Sequence, residues 1–245
     1  MTAATLVLLL SVAPLMGCGL FNKQVDVLLI GDSIMNQTGD FVVAQLRKSQ
    51  QLDDVKVQKE AVNGSGLLTP NVYNWMTKAE ELVKQTKPKI VVILMIGNYS
   101  DTDLFVSSKG QQIPNTYQQD FFDEWGVQAT KMTKMIEAEG AHVDWVLPPP
   151  FKGDEGVRRE QLMRQTYVDL ARNNPGVGLI DARKALGGAN GEFVWKLPDI
   201  NGTEQVVRIG DAVHLTEAGG QLLARQISFD IGPTLIELRR QKANA

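Results

Sequence analysis

Val25-Asp26-Val27-Leu28-Leu29-Ile30-Gly31-Asp32-Ser33 is the stretch on which the reading of this chain turns. Its apolar run suits a strand buried on both faces, as in parallel sheets. Gly31 stops the run, and a serine follows two residues later. The same grammar recurs outward from it. Residues 55–62 read as a second strand. Residues 89–96 are the most apolar and are again stopped by glycine, at Gly97. Residues 142–147 form a fourth run, closed by Pro148-Pro149-Pro150, which cannot continue a ladder, and residues 177–181 a fifth.

Between these runs the pattern turns amphipathic, over about residues 41–48, 75–87, 117–140 and 158–173. Residues 97–114 read as a polar loop. Residues 193–209, with Asn201-Gly202 inside them, predict a β-hairpin. Residues 216–229 and 233–242 predict two closing helices, parted at Pro233. Strands separated by helices of this length predict an α/β fold. The expected form is a three-layer α/β/α sandwich around a flavodoxin-like five-stranded parallel sheet. No repeat or linker divides residues 25–245, so one domain is expected there.

Composition narrows the chemistry. The 245 residues carry 25 Lys and Arg against 28 Asp and Glu, a formal net charge of -3, which gives no reason to expect a nucleic acid partner. A single cysteine excludes an internal disulfide and a cysteine-rich zinc site, and two histidines leave little for a multi-histidine metal centre. No metal and no cofactor is expected. One histidine suffices for a catalytic site.

Residues 1–22 hold no charged side chain, and the run from Leu6 to Leu15 is too short for a membrane span. It suits the apolar region of a secretory signal. It ends at Leu15-Met16-Gly17-Cys18, which resembles the lipobox of bacterial lipoproteins, and Cys18 is the sole cysteine. The resemblance implies a signal peptide over residues 1–17, lipidation of Cys18, a short tether over 18–24, and an exported protein held to a membrane through that lipid.

In an open parallel sheet, sites collect at the carboxyl ends of the strands. Those ends carry Gly31-Asp32-Ser33, Asn63-Gly64-Ser65-Gly66-Leu67 and Gly97-Asn98-Tyr99-Ser100-Asp101, and Asp211-Ala212-Val213-His214 precedes the last helical region. The spacing of Asp211 and His214 can bring both to one side of a turn, where the carboxylate fixes the imidazole tautomer. Ser33 is placed to be the nucleophile that such a base activates. Asp32 is the other carboxylate able to act on the imidazole. His142, inside a strand, reads as structural. Tyr99, Phe105, Trp125 and Phe151 are candidates to line a cleft or to cover the core.

Together the four segments resemble the SGNH hydrolase superfamily, the GDSL esterases and lipases, over about residues 25–225. Gly31-Asp32-Ser33 resembles the first block, with Ile34 for the usual leucine; Gly66 the second; and Asp211 with His214 the fifth. The chain looks closest to a secreted bacterial branch known mainly as a domain of unknown function. Ser65-Gly66-Leu67, Trp75, Asn201-Gly202 and Thr216 carry that likeness. The resemblance implies a serine hydrolase acting on esters, with Ser33 attacking, His214 as base and then acid, and Asp211 orienting it. In the family Asp32 supports the loop. The oxyanion would be held by the backbone N–H groups of Ser33 and Gly66 and by an asparagine side chain. The third block departs from the family's Gly-x-Asn-Asp: Asn98 comes one position early, so the loop is shorter or the amide displaced. Asn98 is the expected third donor.

The expected activity is cleavage of acyl esters, O-acetyl above all, of envelope glycans or lipids. The same acyl-enzyme resolved by a sugar hydroxyl would make the chain an O-acyltransferase, and a decayed site would leave a non-catalytic envelope binding protein.

Overall fold

The computed structural model describes residues 24–99, 104–114 and 117–243. The first 23 residues, including Cys18 and the expected signal segment, lie outside them, as do Ser100 and Asp101 of the third block. Five parallel strands, β1 (Val27–Gly31), β2 (Val57–Ala61), β3 (Ile90–Leu94), β4 (His142–Leu147) and β5 (Val177–Asp181), form one sheet in the order β2-β1-β3-β4-β5. This is the flavodoxin-like order, with its switch point between β1 and β3.

Alternation along the strands builds two cores. Leu28, Ile30, Val91, Ile93, Val143 and Trp145 face a layer made by α2 (Trp75–Thr86), α3 (Gln119–Ala138) and α4 (Gly153–Asn173). Val27, Leu29, Ile90, Val92 and Leu94 face α1 (Ser33–Leu46) and α6 (Glu217–Ala243), with the one-turn α5 (Arg183–Leu186) beside them. β1 and β3 are buried throughout, whereas every residue of edge strand β2 is half-buried. The long apolar runs are therefore the central strands, covered on both faces.

Three elements differ most from the sequence reading. Helix α1 starts at Ser33 rather than near Phe41, because Asp32 caps it and Ile34, Met35 and Thr38 are buried on its inner side. The closing helices are one, α6, which runs through Pro233. A proline inside a helix forfeits one backbone bond, here to the Phe229 carbonyl. Ile227, Ile231 and Leu235 carry the buried face across that defect. The hairpin is real but short: β6 (Lys196–Pro198) pairs antiparallel with β7 (Glu204–Val206). Asp199 accepts the Asn201 and Thr203 N–H groups at 2.8 and 3.0 Å and so closes its turn.

Candidate active site

Gly31 sits where only a glycine fits. Paired with Leu94 across the β1–β3 seam, it would place a Cβ 2.1 Å from the Leu94 carbonyl oxygen. The chain then leaves the sheet directly into α1. The Asp32 N–H still donates to Leu94 O at 3.1 Å, and the Asp32 side chain caps the helix through the Ile34 N–H at 3.0 Å. Ser33 is thereby the first residue of α1. Its N–H is one of the four that no intrahelical carbonyl can accept, at the positive end of the helix dipole.

The turn before α6 brings His214 to Ser33. His214 Nε2 lies 2.8 Å from Ser33 Oγ, and His214 Nδ1 lies 2.6 Å from Asp211 Oδ2. Asp211 Oδ1 accepts the backbone N–H groups of Val213 and His214, each at 2.9 Å, so one carboxylate shapes the turn and orients the ring. Gln37 of α1 accepts the Leu215 N–H at 2.9 Å and ties the turn to the serine's own helix. Partial burial resists ionisation of Asp211, but the His214 ring and the two backbone donors outweigh it and hold the carboxyl at about 2. A permanent carboxylate at Nδ1 leaves Nε2 free to take the serine proton.

Asp32 lies on the other side of the site and is fully buried. Its Oδ2 accepts the Ile96 N–H at 2.7 Å and the Asn98 side-chain amide at 3.2 Å, joining the end of β1 to the segment after β3. Burial pushes its carboxyl up to about 6, against the pull of the Ile96 and Ile34 N–H groups, His214 and Arg159. Arg159 holds the same segment from α4, donating to the Ile96 and Gly97 carbonyls at 2.8 and 3.1 Å. Of the two aspartates near the imidazole, Asp211 is the one bonded to it.

The expected oxyanion donors are near but engaged. Asn98 gives its amide to Asp32 and, at 3.1 Å, to the Ser65 carbonyl. The Gly66 N–H donates to Thr69 Oγ1 at 2.8 Å. A Cβ at Gly66 would lie 2.5 Å from the Asn98 carbonyl oxygen, so the two segments touch only because this residue is glycine. Trp75, buried, donates its indole N–H to Ser65 Oγ at 2.8 Å and fixes the loop from below. Of the three expected donors, Ser33 is the one whose N–H stands at a helix N-terminus, beyond reach of any intrahelical carbonyl. Sequence reasoning did not single out Thr69. Its signal was a hydroxyl three residues past a glycine, the spacing at which Ser and Thr close local turns.

Of the other candidates, His142 opens β4 at the amino edge, opposite the site, 3.4 Å from Asp144, whose hydrogen bond raises its pKa. Trp125 is core, its indole bonded to the Tyr167 hydroxyl at 3.1 Å. Phe151 is buried, with the Arg159 guanidinium 5.3 Å from its ring centroid. Tyr99 and Phe105 are half-buried and packed against the core. Among the described residues, no three His, Cys, Asp or Glu side chains converge to hold a metal.

Comparisons with known proteins agree with this architecture. Among solved structures, a catalytic mutant of Axe2, an acetylxylan esterase from Geobacillus stearothermophilus, is 17% identical. It superposes with a TM-score of 0.62 over 85% of this chain and 94% of its own. The psychrotrophic esterase EstA from Pseudoalteromonas sp. is 12% identical, with a TM-score of 0.56 over 86% of this chain and 98% of its own. A G-D-S-L family protein from Desulfitobacterium hafniense DCB-2 is 14% identical, with a TM-score of 0.58 over 84% and 99%. At such identities the likeness establishes the fold. No curated protein matches the sequence. The model of the family described as Protein of unknown function (DUF459) matches residues 26–229. With that match over most of its length, the chain belongs to the DUF459 family.

Proposed function

We propose that the chain is a serine esterase that removes acyl groups, chiefly O-acetyl, from envelope glycans. The observation that carries this reading is the continuous relay from Ser33 Oγ to His214 Nε2 and from His214 Nδ1 to Asp211. In the first half-reaction Ser33 Oγ attacks the acyl carbon while its proton passes to Nε2. The tetrahedral intermediate then collapses, and Nε2 returns the proton to the departing alcohol. Water repeats the sequence on the acyl-enzyme, releasing the acid and restoring Ser33. The developing oxyanion meets the Ser33 N–H at the start of α1. The Gly66 N–H and the Asn98 amide join it only by exchanging the partners they now hold.

Access supports a polymer-borne ester over a lipid drawn into a tunnel. The His214 and Asp211 side chains are 35% and 45% exposed, so the base side of the relay opens at the surface. The acetylxylan esterase activity named for Axe2 is in keeping with an acetylated glycan as substrate. Export and lipidation at Cys18 rest on the sequence of residues 1–18 and belong to the same proposal. Acetate release from an acetylated polysaccharide, measured beside p-nitrophenyl acetate hydrolysis, tests the activity. Turnover of neither ester would leave a binding protein on a hydrolase fold, and sugar-dependent transfer without acetate release would make it an acyltransferase. Cys18→Ala should release the protein from membranes, and unchanged fractionation would reject lipidation.

A further inference from the structure

Beneath the turn that carries Asp211 and His214 lies a cation that the relay does not use. Arg208 is 1% exposed, and among the described residues no carboxylate forms an ion pair with it. Its Nη1 donates to the Val213 carbonyl and its Nη2 to the Pro150 carbonyl, both at 3.2 Å, while its buried Nε has no partner. Burial drives its pKa down to about 10, with Asp211 pulling the other way, so it stays charged at neutral pH. Burying a guanidinium without a counter-ion is expensive, and joining two carbonyls could be done by neutral donors.

What those carbonyls belong to gives the arrangement its meaning. The Val213 oxygen is in the same peptide plane as the His214 N–H, which donates to Asp211 Oδ1 at 2.9 Å. That plane is gripped at both ends, by Arg208 from below and by Asp211 from above. The turn needs gripping, because Ala212 sits at φ 62, a left-handed conformation that costs about 1 kcal/mol or more for a residue with a Cβ. The Ile209 N–H donates to the His214 carbonyl at 3.0 Å and closes the turn, and Pro150 anchors the guanidinium to the loop after β4.

We propose that Arg208 is a positioning residue: by fixing the Val213–His214 peptide it sets the angle at which His214 meets Ser33. The proposal rests on the serine-esterase reading of the site. The test compares the full chain with Arg208→Met and Arg208→Lys in two ways. One is p-nitrophenyl acetate kinetics per mole of enzyme titrated at Ser33, and the other is amide hydrogen exchange over residues 209–214. Arg208→Met should lower kcat about tenfold or more with KM within twofold, and should speed exchange in that turn while β1 and β3 stay protected. Arg208→Lys, keeping the charge but not the two-pronged grip, should recover part of both. If Arg208→Met does not fold, Arg208→Lys alone must show the smaller loss in the same direction. Wild-type kcat in a variant whose turn exchanges faster would reduce Arg208 to scaffold and overturn the proposal, as would unchanged exchange. An inactive wild-type chain would instead remove the esterase reading, while the exchange comparison still decides whether Arg208 holds the turn.

Discussion

Asp32 and Asp211 have the same local task and opposite chemistry. Each accepts two backbone N–H groups and one side-chain donor, and each closes the turn beside one end of the Ser33–His214 contact. Asp32 has no exposed surface and its carboxyl is pushed up to about 6; the Asp211 side chain is 45% exposed and its carboxyl is held at about 2. The difference teaches that burial, more than hydrogen-bond count, separates a carboxylate that supports a site from one that works in it. A carboxylate far from its own protonation can face an imidazole through a full proton cycle without taking the proton.

The sharpest way to break this comparison is to neutralise each aspartate in turn. Asp211→Asn should lower kcat by roughly 10²–10⁴-fold, since an amide at Nδ1 favours the wrong tautomer. A loss below tenfold in steady-state hydrolysis would mean that another group orients the ring. Asp32 should declare itself in stability. Its folded pKa of about 6 lies above the ordinary 3.8, so the folded state binds the proton more tightly than the unfolded chain does. The stabilisation is complete below pH ~4 and is lost as pH rises through about 6, a decline of about 3 kcal/mol if this group acted alone. Asp211 has the opposite sign, its contribution being present above the ordinary carboxylate range and lost as pH falls toward 2. Urea unfolding across pH 4 to 7 should show the Asp32 decline in the wild type and its absence in Asp32→Asn.

Asn98 sharpens the boundary between support and chemistry. As a link between Asp32 and Ser65, Asn98→Ala should cost about 1–3 kcal/mol of stability by stranding buried acceptors, with kcat down less than tenfold. A loss of ~10²-fold at unchanged stability would instead show that its amide turns to the oxyanion during the reaction. The smallest effect belongs to the Asp211 turn. Ala212→Gly, which relieves the positive φ, should raise stability by about 1 kcal/mol in the same unfolding assay. No gain would mean that the turn is not strained.

The sheet was legible because its central strands are long apolar runs that stop at Gly31 and Gly97, and the helices between the strands make them parallel. Ser33, His214 and Asp211 were legible because Ser33 follows two residues after the glycine that ends a buried strand, and Asp211 and His214 are three apart. What stayed hidden depends on partners far away in sequence. Nothing local says that Asn98 spends its amide on Asp32 and Ser65, whereas Thr69, three residues past Gly66, was a local signal left unread. Helix α1 was read late because Asn36, Gln37, Thr38 and Gly39 blur its period, although the Asp32 cap marked its start. The passage of α6 through Pro233 is decided by packing against α1 and the sheet. Arg208 left a trace, a lone charge inside Val206-Val207-Arg208-Ile209, where an apolar strand should carry none.

The central claim is that His214 activates Ser33 as a nucleophile, and covalent capture measures it most directly. The chain from residue 19 onward, treated with a fluorophosphonate, should gain one adduct that peptide mapping places on Ser33. Labelling should vanish in Ser33→Ala and slow by orders of magnitude in His214→Ala. An unlabelled Ser33 in folded protein, or labelling that survives loss of His214 at the wild-type rate, would contradict the account.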